Sequence, residues 1–261
     1  MSTPRRLLDV AETVFVALMF TALLLGTTVG LVSAPGVTAA LIRANRTWLV
    51  TGMTPEATVR LADGVRSWVA SRPDDEDRAA GQAMKSFLPD EVSHLADVRT
   101  LMNGARTATG VAAAVLAVWL VACLVSRRWL RLRTGIAAGG LTAVALVGVV
   151  AIAALFDFSS AFAAFHGLFF DAGTWEFSAD SLLIRVFPGT FWASAGALWG
   201  TLTAMGGLAL FGASRLLPRS DEEAQELSDE REAHRKRAAV DFGAQPAESA
   251  GTGQSGGVGR S

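Results

Sequence analysis

One cysteine, Cys123, occurs in 261 residues, so no disulfide can close within the chain. It lies inside a long apolar run and reads as a small apolar side chain packed in a helix. Histidine is almost as scarce: His94, His166 and His234 are the three. No His-Glu-x-x-His sequence occurs. A metal site built from His94, Asp97 and His166 would take two histidines and one carboxylate from separate segments, which is weak ground, so neither a metal nor a cofactor is expected. Charge is thin as well. Charged residues make up 18% of the chain, against about 25% in a soluble domain. The formal net charge of −1 leaves no basic footprint for a nucleic acid partner. Lysine is nearly missing, with Lys85 and Lys236 the two among 23 basic residues. That bias, beside many alanines, points to a GC-rich bacterial genome.

Hydrophobic residues make up 51% of the chain, and they come in blocks. Val14–Ile42, Thr107–Ser126, Thr134–Phe156 and Val186–Ser214 carry no charge. Each reaches the ~20 residues that a helix needs to cross a bilayer. As buried core helices they would need a far larger soluble protein around them. The expected fold is therefore an all-α membrane protein: four transmembrane helices with a small extracytoplasmic cap of helices and loops. The first run could end in a signal cleavage site at Val32-Ser33-Ala34. It is longer than the ~7–15 residues of a signal h-region, and an uncleaved first span is the better reading. With Cys123 the one ionisable side chain in the spans, no ion or proton relay is visible and a transporter is disfavoured.

Arginine placement sets the expected orientation. Arg5 and Arg6 precede the first span, Arg127, Arg128, Arg131 and Arg133 join the second to the third, and Arg215 and Arg219 follow the fourth. These three places share a side and are read as cytoplasmic, in a multi-pass protein of the bacterial cell membrane with both termini inside. The resulting division is 1–12 cytoplasmic, 13–34 first span, 35–106 outer cap, 107–126 second span, 127–133 cytoplasmic loop, 134–156 third span, 157–188 outer interfacial segment, 189–212 fourth span, and 213–261 a cytoplasmic tail. The tail is charged and then small and polar, and is expected to be largely disordered. His234 in it is expected to be inert.

The outer segments hold the informative residues. Thr54-Pro55 is a helix start, and Leu61, Val65, Trp68 and Val69 fall on one face of that helix. Residues 72–78, "RPDDEDR", read as a solvated loop. A second helix is expected from an Asp90 N-cap to a loosening at Gly104. On it His94 and Asp97 lie three apart and are surface neighbours; the carboxylate would favour the imidazolium or fix a tautomer. After the third span, Phe158, Phe162, Phe165 and Phe169 form one aromatic face of a helix too short to span, with Ser159, Phe162, His166 and Phe170 on an adjacent line. Gly173 can stop that helix. "TWEF" at 174–177 reads as a brief strand, and Ser178 as the cap of a short helix carrying Leu182, Leu183, Arg185 and Val186, ended by Pro188. His94 enters the second span and His166 leaves the third. A seven-residue connection makes those spans antiparallel neighbours, so the two histidines are expected to meet.

Such a pair at a lipid boundary suits general acid–base work on lipid esters. The phenylalanines Phe162, Phe165, Phe169 and Phe170 would line a slot for acyl chains, and Arg99 and Arg185 would hold a headgroup or an oxyanion. Trp175 could join them, although for Trp175, Trp192 and Trp68 interface anchoring is the plainer reading. A serine nucleophile at Ser159, Ser160 or Ser93 has no nucleophile-elbow motif behind it. The competing class is a non-catalytic membrane accessory or interaction protein whose histidine pair is structural.

The residues that carry this reading also carry a resemblance. "HLADVRTL" at 94–101 resembles a His-x-x-Asp-Val-Arg/Lys motif, and "FHGLFF", "TWEF" and "FPGTFW" resemble a Phe-His-x-x-Phe-Phe, Trp-x-Phe and Phe-Pro-x-x-Phe-Trp series. Together they are similar to the lipoprotein intramolecular transacylase family over about residues 8 to 215. Gly189 stands where an acidic residue is expected after the Phe-Pro, and the loop near 71–82 looks lengthened. The resemblance implies an enzyme whose partners are membrane lipid and diacylglyceryl lipoproteins. It moves the sn-2 acyl chain onto the lipoprotein's own N-terminal cysteine amine at the outer leaflet. It also implies His166 as base or proton shuttle and His94, with Asp97, as its partner.

Overall fold

The structure is a computed structural model. It describes residues 3–72, 78–220 and, in the tail, 222, 223, 226, 229–233, 235 and 237, all of these last helical. Residues 73–77 of the acidic loop, His234 and the polar end of the tail at 238–261 lie outside the described residues.

Ten helices and no strand are present among the described residues: α1 (Thr3–Val32), α2 (Pro35–Asn45), α3 (Trp48–Thr51), α4 (Pro55–Ala70), α5 (Arg78–Met84), α6 (Pro89–Val125), α7 (Trp129–Phe156), α8 (Phe158–Phe169), α9 (Leu182–Val186) and α10 (Gly189–Ser214). The brief strand expected at 174–177 is not formed; bend and turn occupy the place. Four helices are long and apolar enough to cross a membrane: Leu7–Val32 within α1, then α6, α7 and α10. At most 22% of the most apolar stretch of each is buried. Val118, Val149 and Leu155 lie 72%, 67% and 87% exposed. Apolar surface on that scale suits lipid and not water.

The spans pack through glycine. Gly140 of α7 and Gly207 of α10 sit so close that a Cβ on Gly140 would lie 2.3 Å from the Gly207 carbonyl oxygen. Gly139 takes the Phe20 side chain of α1 in the same way, and Gly135 the Trp119 ring of α6. Small residues at such crossings let membrane helices gain van der Waals contact where no hydrophobic drive exists between them. α7 leans mainly on α10 and α1, and α6 leans on α1 more than on α7. The α6–α7 hairpin is thus partly opened by α1, which touches both arms. At its basic end, Arg131 pairs with Asp9 at 2.6 Å and with Glu12, and Glu12 also accepts from the Trp119 indole at 3.1 Å. Deeper in, the Thr28 and Thr203 hydroxyls are 2.8 Å apart.

α6 is one helix of 37 residues, about 55 Å at 1.5 Å per residue, whereas a bilayer core is about 30 Å thick. The half from Pro89 to Arg106 bears Asp90, Glu91, Asp97, Arg99 and Arg106, and the half from Thr107 to Val125 carries no charge. Gly104, expected as a loosening point, is inside the helix. Nor is Asp90 the cap. Leu88 takes that place with extended backbone (φ −70°, ψ 157°) because Pro89 follows it.

α4 starts as expected, with Thr54 accepting the Ala57 amide at 3.2 Å. Its last carbonyls are taken by a row of α6 donors: Arg99 and Asn103 to Ser71, Arg99 also to Arg72, and Arg106 to Ala70. Helix ends leave such carbonyls without intrahelical partners. Ile42, Ala62, Val65, Leu95, Leu183, Val186 and Phe191 then form one buried cluster. It runs from the cap helices into the start of α10, so the cap is continuous with the bundle.

Candidate functional site

α8 begins at Asp157, whose carboxylate accepts the Ser160 amide at 3.1 Å. It runs for twelve residues, Phe158 to Phe169, with Phe170 as its C-cap. The helix divides its two aromatic lines between two surroundings. Phe165 and Phe169 are 51% and 49% exposed, on the outward side with Leu168. Phe162, His166 and Phe170 are half-buried and face the protein.

The structure brings His166 to His94. Their ring centroids are 6.1 Å apart with planes at 29°. Phe170 lies 4.9 Å from His94 and 5.6 Å from His166, so it touches both. Phe162 stands 4.0 Å and Trp175 4.8 Å from the His166 ring, and Phe177 is 5.7 Å from His94. A box of aromatic rings holds the two imidazoles.

His166 Nδ1 lies 2.9 Å from the Phe162 carbonyl oxygen. A carbonyl only accepts, so Nδ1 carries the proton and Nε2 of the neutral ring keeps its lone pair. Burial holds His166 below the ordinary histidine value, opposed by that hydrogen bond to Phe162. Burial first, then the neighbouring His166, lowers His94, and Asp97 works weakly the other way. Both imidazoles are therefore neutral at neutral pH. The expected bias of Asp97 toward an imidazolium loses to burial because Asp97 is exposed, and water screens its charge. It does not orient His94 either, since His94 Nδ1 is buried without a hydrogen-bond partner.

Other expected residues divide. Trp175 joins the cluster, and Phe165 and Phe169 lie on its exposed side. Arg185 lies on α9 with its Nε buried and unpartnered. Arg99 is engaged elsewhere: its guanidinium holds the end of α4 and lies 5.0 Å over the Trp68 ring. Ser160 is turned to Asp157. Among the described residues no hydrogen bond joins a serine to either imidazole, and no group of three or more potential metal ligands gathers.

Three contributors were not foreseen. Glu91 is 1% exposed. Its carboxylate accepts the Leu88 amide at 2.7 Å, the Leu183 amide at 2.9 Å and the Ser181 hydroxyl at 2.5 Å. Ser181, not Ser178, caps α9. Glu91 thus ties α9 to α6 one turn from His94. The sequence signal was present, a glutamate two residues after a Leu-Pro helix start, but Asp90 concealed it as the more obvious cap. Phe177 and Trp192 complete the aromatic surround, Trp192 at 6.4 Å from Phe162.

Fold and site together define a class: a multi-pass membrane protein with two neutral, aromatic-boxed imidazoles where its cap meets the bundle. The family model of the lipoprotein intramolecular transacylase Lit matches residues 12–192, and the chain belongs to that family. Three solved structures of the Bacillus cereus lipoprotein intramolecular transacylase share its fold. One is 14% identical with a TM-score of 0.67, covering 80% of this chain and 95% of that one. A histidine-to-arginine variant of that enzyme is 14% identical with a TM-score of 0.65, covering 86% and 96%. A histidine-to-alanine variant is 15% identical with a TM-score of 0.63, covering 82% and 94%. A search of curated proteins finds no match.

Proposed function

We propose that this chain moves an acyl chain from the diacylglyceryl group of a bacterial lipoprotein to the amine of its N-terminal cysteine, with His166 as the base. The amine nitrogen attacks the ester carbonyl carbon, a C–N bond forms and the C–O ester bond breaks. The amine proton passes to Nε2 of His166 and on to the departing glyceryl oxygen, with His94 as its proton-exchange partner and Asp97 an outlying charge. An α-amine has a reference pKa near 7.7–8.0, within reach of a neutral imidazole. General base catalysis of this kind contributes roughly 10²–10⁴-fold. The observation that carries the reading is the 6.1 Å imidazole pair, with the tautomer of one ring set by Phe162.

In this reading Phe162, Phe165, Phe169, Phe170 and Trp175 receive acyl chains from the lipid side, and Arg185 meets the glyceryl or peptide end. The arginines at the opposite end of the bundle support a reading with both termini in the cytoplasm and the site at the outer leaflet.

The test is mass spectrometry of lipoproteins from cells that lack N-acylation and express the chain or its His166→Ala form. The wild type is expected to yield N-acyl, lyso-glyceryl lipoprotein and the variant at least 100-fold less. A wild-type chain that is made, folded and yet yields no such product removes the transacylase reading.

A further inference from the structure

Two half-buried tryptophans pair their indole N–H groups. Trp119 donates to Glu12 at 3.1 Å and Trp199 to the Leu25 carbonyl at 3.4 Å. Trp175 departs from that pattern: its Nε1 is shut away from solvent and has no hydrogen-bond partner. A tryptophan that anchors a protein at a membrane surface does the opposite, since it keeps its N–H among wet headgroups. Leaving a buried donor without a partner is unfavourable, so the free protein holds this group at a loss.

Its placement is built, not incidental. Past α8 the chain reverses at Asp171–Thr174. The Thr174 amide and hydroxyl both reach the Asp171 carbonyl, at 3.2 Å and 2.8 Å. Gly173 takes φ +83° there, a backbone state that side chains on Cβ disfavour. The reversal folds Trp175 back over His166, ring to ring at 4.8 Å and 36°. The unpaired indole donor thus lies on the ring that carries the base nitrogen. An indole N–H donates and never accepts. It is also uncharged, so it does not favour phosphate or free carboxylate as an arginine would. The matching group is an acceptor that is neutral before reaction and gains negative charge during it, which describes an ester carbonyl oxygen under attack.

We propose that Trp175 is a catalytic residue whose Nε1–H donates to the carbonyl oxygen of the migrating acyl group and stabilises the oxyanion of the tetrahedral intermediate. When the amine nitrogen adds to the carbonyl carbon, the C=O π electrons become a lone pair on oxygen and the Trp175 N–H donates to the resulting oxyanion. When the intermediate collapses, those electrons restore the C=O bond as the glyceryl C–O bond breaks and the proton from His166 goes to the glyceryl oxygen. Dry aromatic surroundings strengthen such a hydrogen bond. The inference rests on the transacylase reading and deepens it by naming the group that stabilises the developing charge.

The experiment compares purified wild-type protein, Trp175→Phe, a variant carrying benzothienylalanine at 175 and His166→Ala, all acting on a diacylglyceryl lipopeptide in lipid nanodiscs. Benzothienylalanine keeps the bicyclic shape and puts sulfur where the N–H was, so folding is preserved and the donor alone is removed. Loss of one oxyanion donor is expected to lower kcat by about 100-fold, with KM within about threefold. A lipopeptide with a thiono ester (C=S, a poor acceptor) should slow the wild type and leave the benzothienyl variant little changed further, a coupling that a purely structural role would not produce. A benzothienyl variant with wild-type kcat overturns the inference, as does equal slowing of both proteins by the thiono substrate. If the wild type is active and His166→Ala is not, that failure belongs to Trp175 alone; if the wild type is itself inactive, both readings fall.

Discussion

Glu91 offers the sharpest test of how the site is held. Replacing it by alanine removes the acceptor for three groups at once: the Leu88 amide, the Leu183 amide and the Ser181 hydroxyl. The Ser181 hydroxyl can rotate its proton toward another acceptor while its oxygen goes on accepting the Ile184 amide at 3.4 Å. The two amides have no such freedom, because each is fixed in a helix start. Two buried donors left unpaired cost about 1–3 kcal/mol each, and the emptied space adds to that, so Glu91→Ala should lose about 4 kcal/mol. For a chain of this size about 2–4 °C of Tm accompanies each kcal/mol, which places the expected fall near 10 °C. Glu91→Gln should fall between the two. Its one carbonyl oxygen can serve the Ser181–Leu183 side, but its NH₂ then faces the Leu88 amide, donor against donor. The assay is thermal unfolding in one detergent, with transacylation measured well below each Tm, where a displaced α9 should slow turnover in the alanine form. A Glu91→Ala protein within 1 kcal/mol of wild type would refute the reasoning, because those amides would then have found other partners.

Three further expectations follow from the same contacts. In a ¹⁵N-histidine NMR titration, His166 and His94 should protonate with midpoints below 6.5, the ordinary histidine value. Their folded values are lowered, so the stability they contribute is present above 6.5 and lost as pH falls through the lowered midpoints; a midpoint above 6.5 for either ring would contradict the burial argument. Gly140→Ala should separate α7 from α10, since its Cβ would meet the Gly207 carbonyl at 2.3 Å and the Phe211 amide nitrogen at 3.1 Å. The expected cost is about 1–3 kcal/mol, while Gly148→Ala, with nothing within 4 Å, should be neutral or stabilising; equal thermal stabilities would remove the close crossing. Arg99→Ala should lose roughly 1–2 kcal/mol of stability from lost hydrogen bonds and its contact with Trp68, seen as a small fall in Tm, and leave KM and kcat unchanged at a temperature where it is folded. A large rise in KM would return Arg99 to the substrate.

The spans were legible because each is a charge-free run of membrane length, and lipid admits few other structures. The meeting of His94 and His166 was legible for a related reason. A chain crossing a bilayer four times has only two sides, and both residues sit beside span ends on the same one. The route expected for that meeting was too simple, however. Neighbours in sequence were taken as neighbours in packing, yet α1 fits against both α6 and α7 through Gly139 and Phe20. Glycine positions along a span signal close approach without naming the partner. Glu91 was hidden for a local reason: Asp90 has the better cap propensity, but the Leu-Pro pair before it decides where α6 begins. Trp175 was read as a site residue, but neither its unpaired N–H nor the helix-end contacts of Arg99 were legible. One guanidinium is used up by helix-end carbonyls and one indole is left waiting, and only the folded path of residues 170–181 separates those cases.

The aromatic box also bears on which nucleophile can react. An ester beside a neutral imidazole is open to attack by water as much as by an amine, and water is far more abundant. Nothing in a base alone chooses between them. Around His166 the neighbours are Phe162, Phe165, Phe170 and Trp175, and around His94 they are Phe170 and Phe177. None of the four phenylalanines that touch His166 or His94 can hold a water by hydrogen bonding, and a bound water needs two to four polar partners. The same packing lowers both imidazoles and so keeps the base free of its proton. Dryness and the unprotonated state of the imidazoles therefore have one cause here. A substitution that wets the box, such as Phe170→Ser between the two rings, should raise both histidine midpoints toward 6.5 and shift product from the N-acyl lipopeptide toward free fatty acid. Product analysis and titration on that single variant read the two consequences separately. If hydrolysis stays absent while the midpoints rise, the ordering of the substrate amine, not the exclusion of water, sets the outcome.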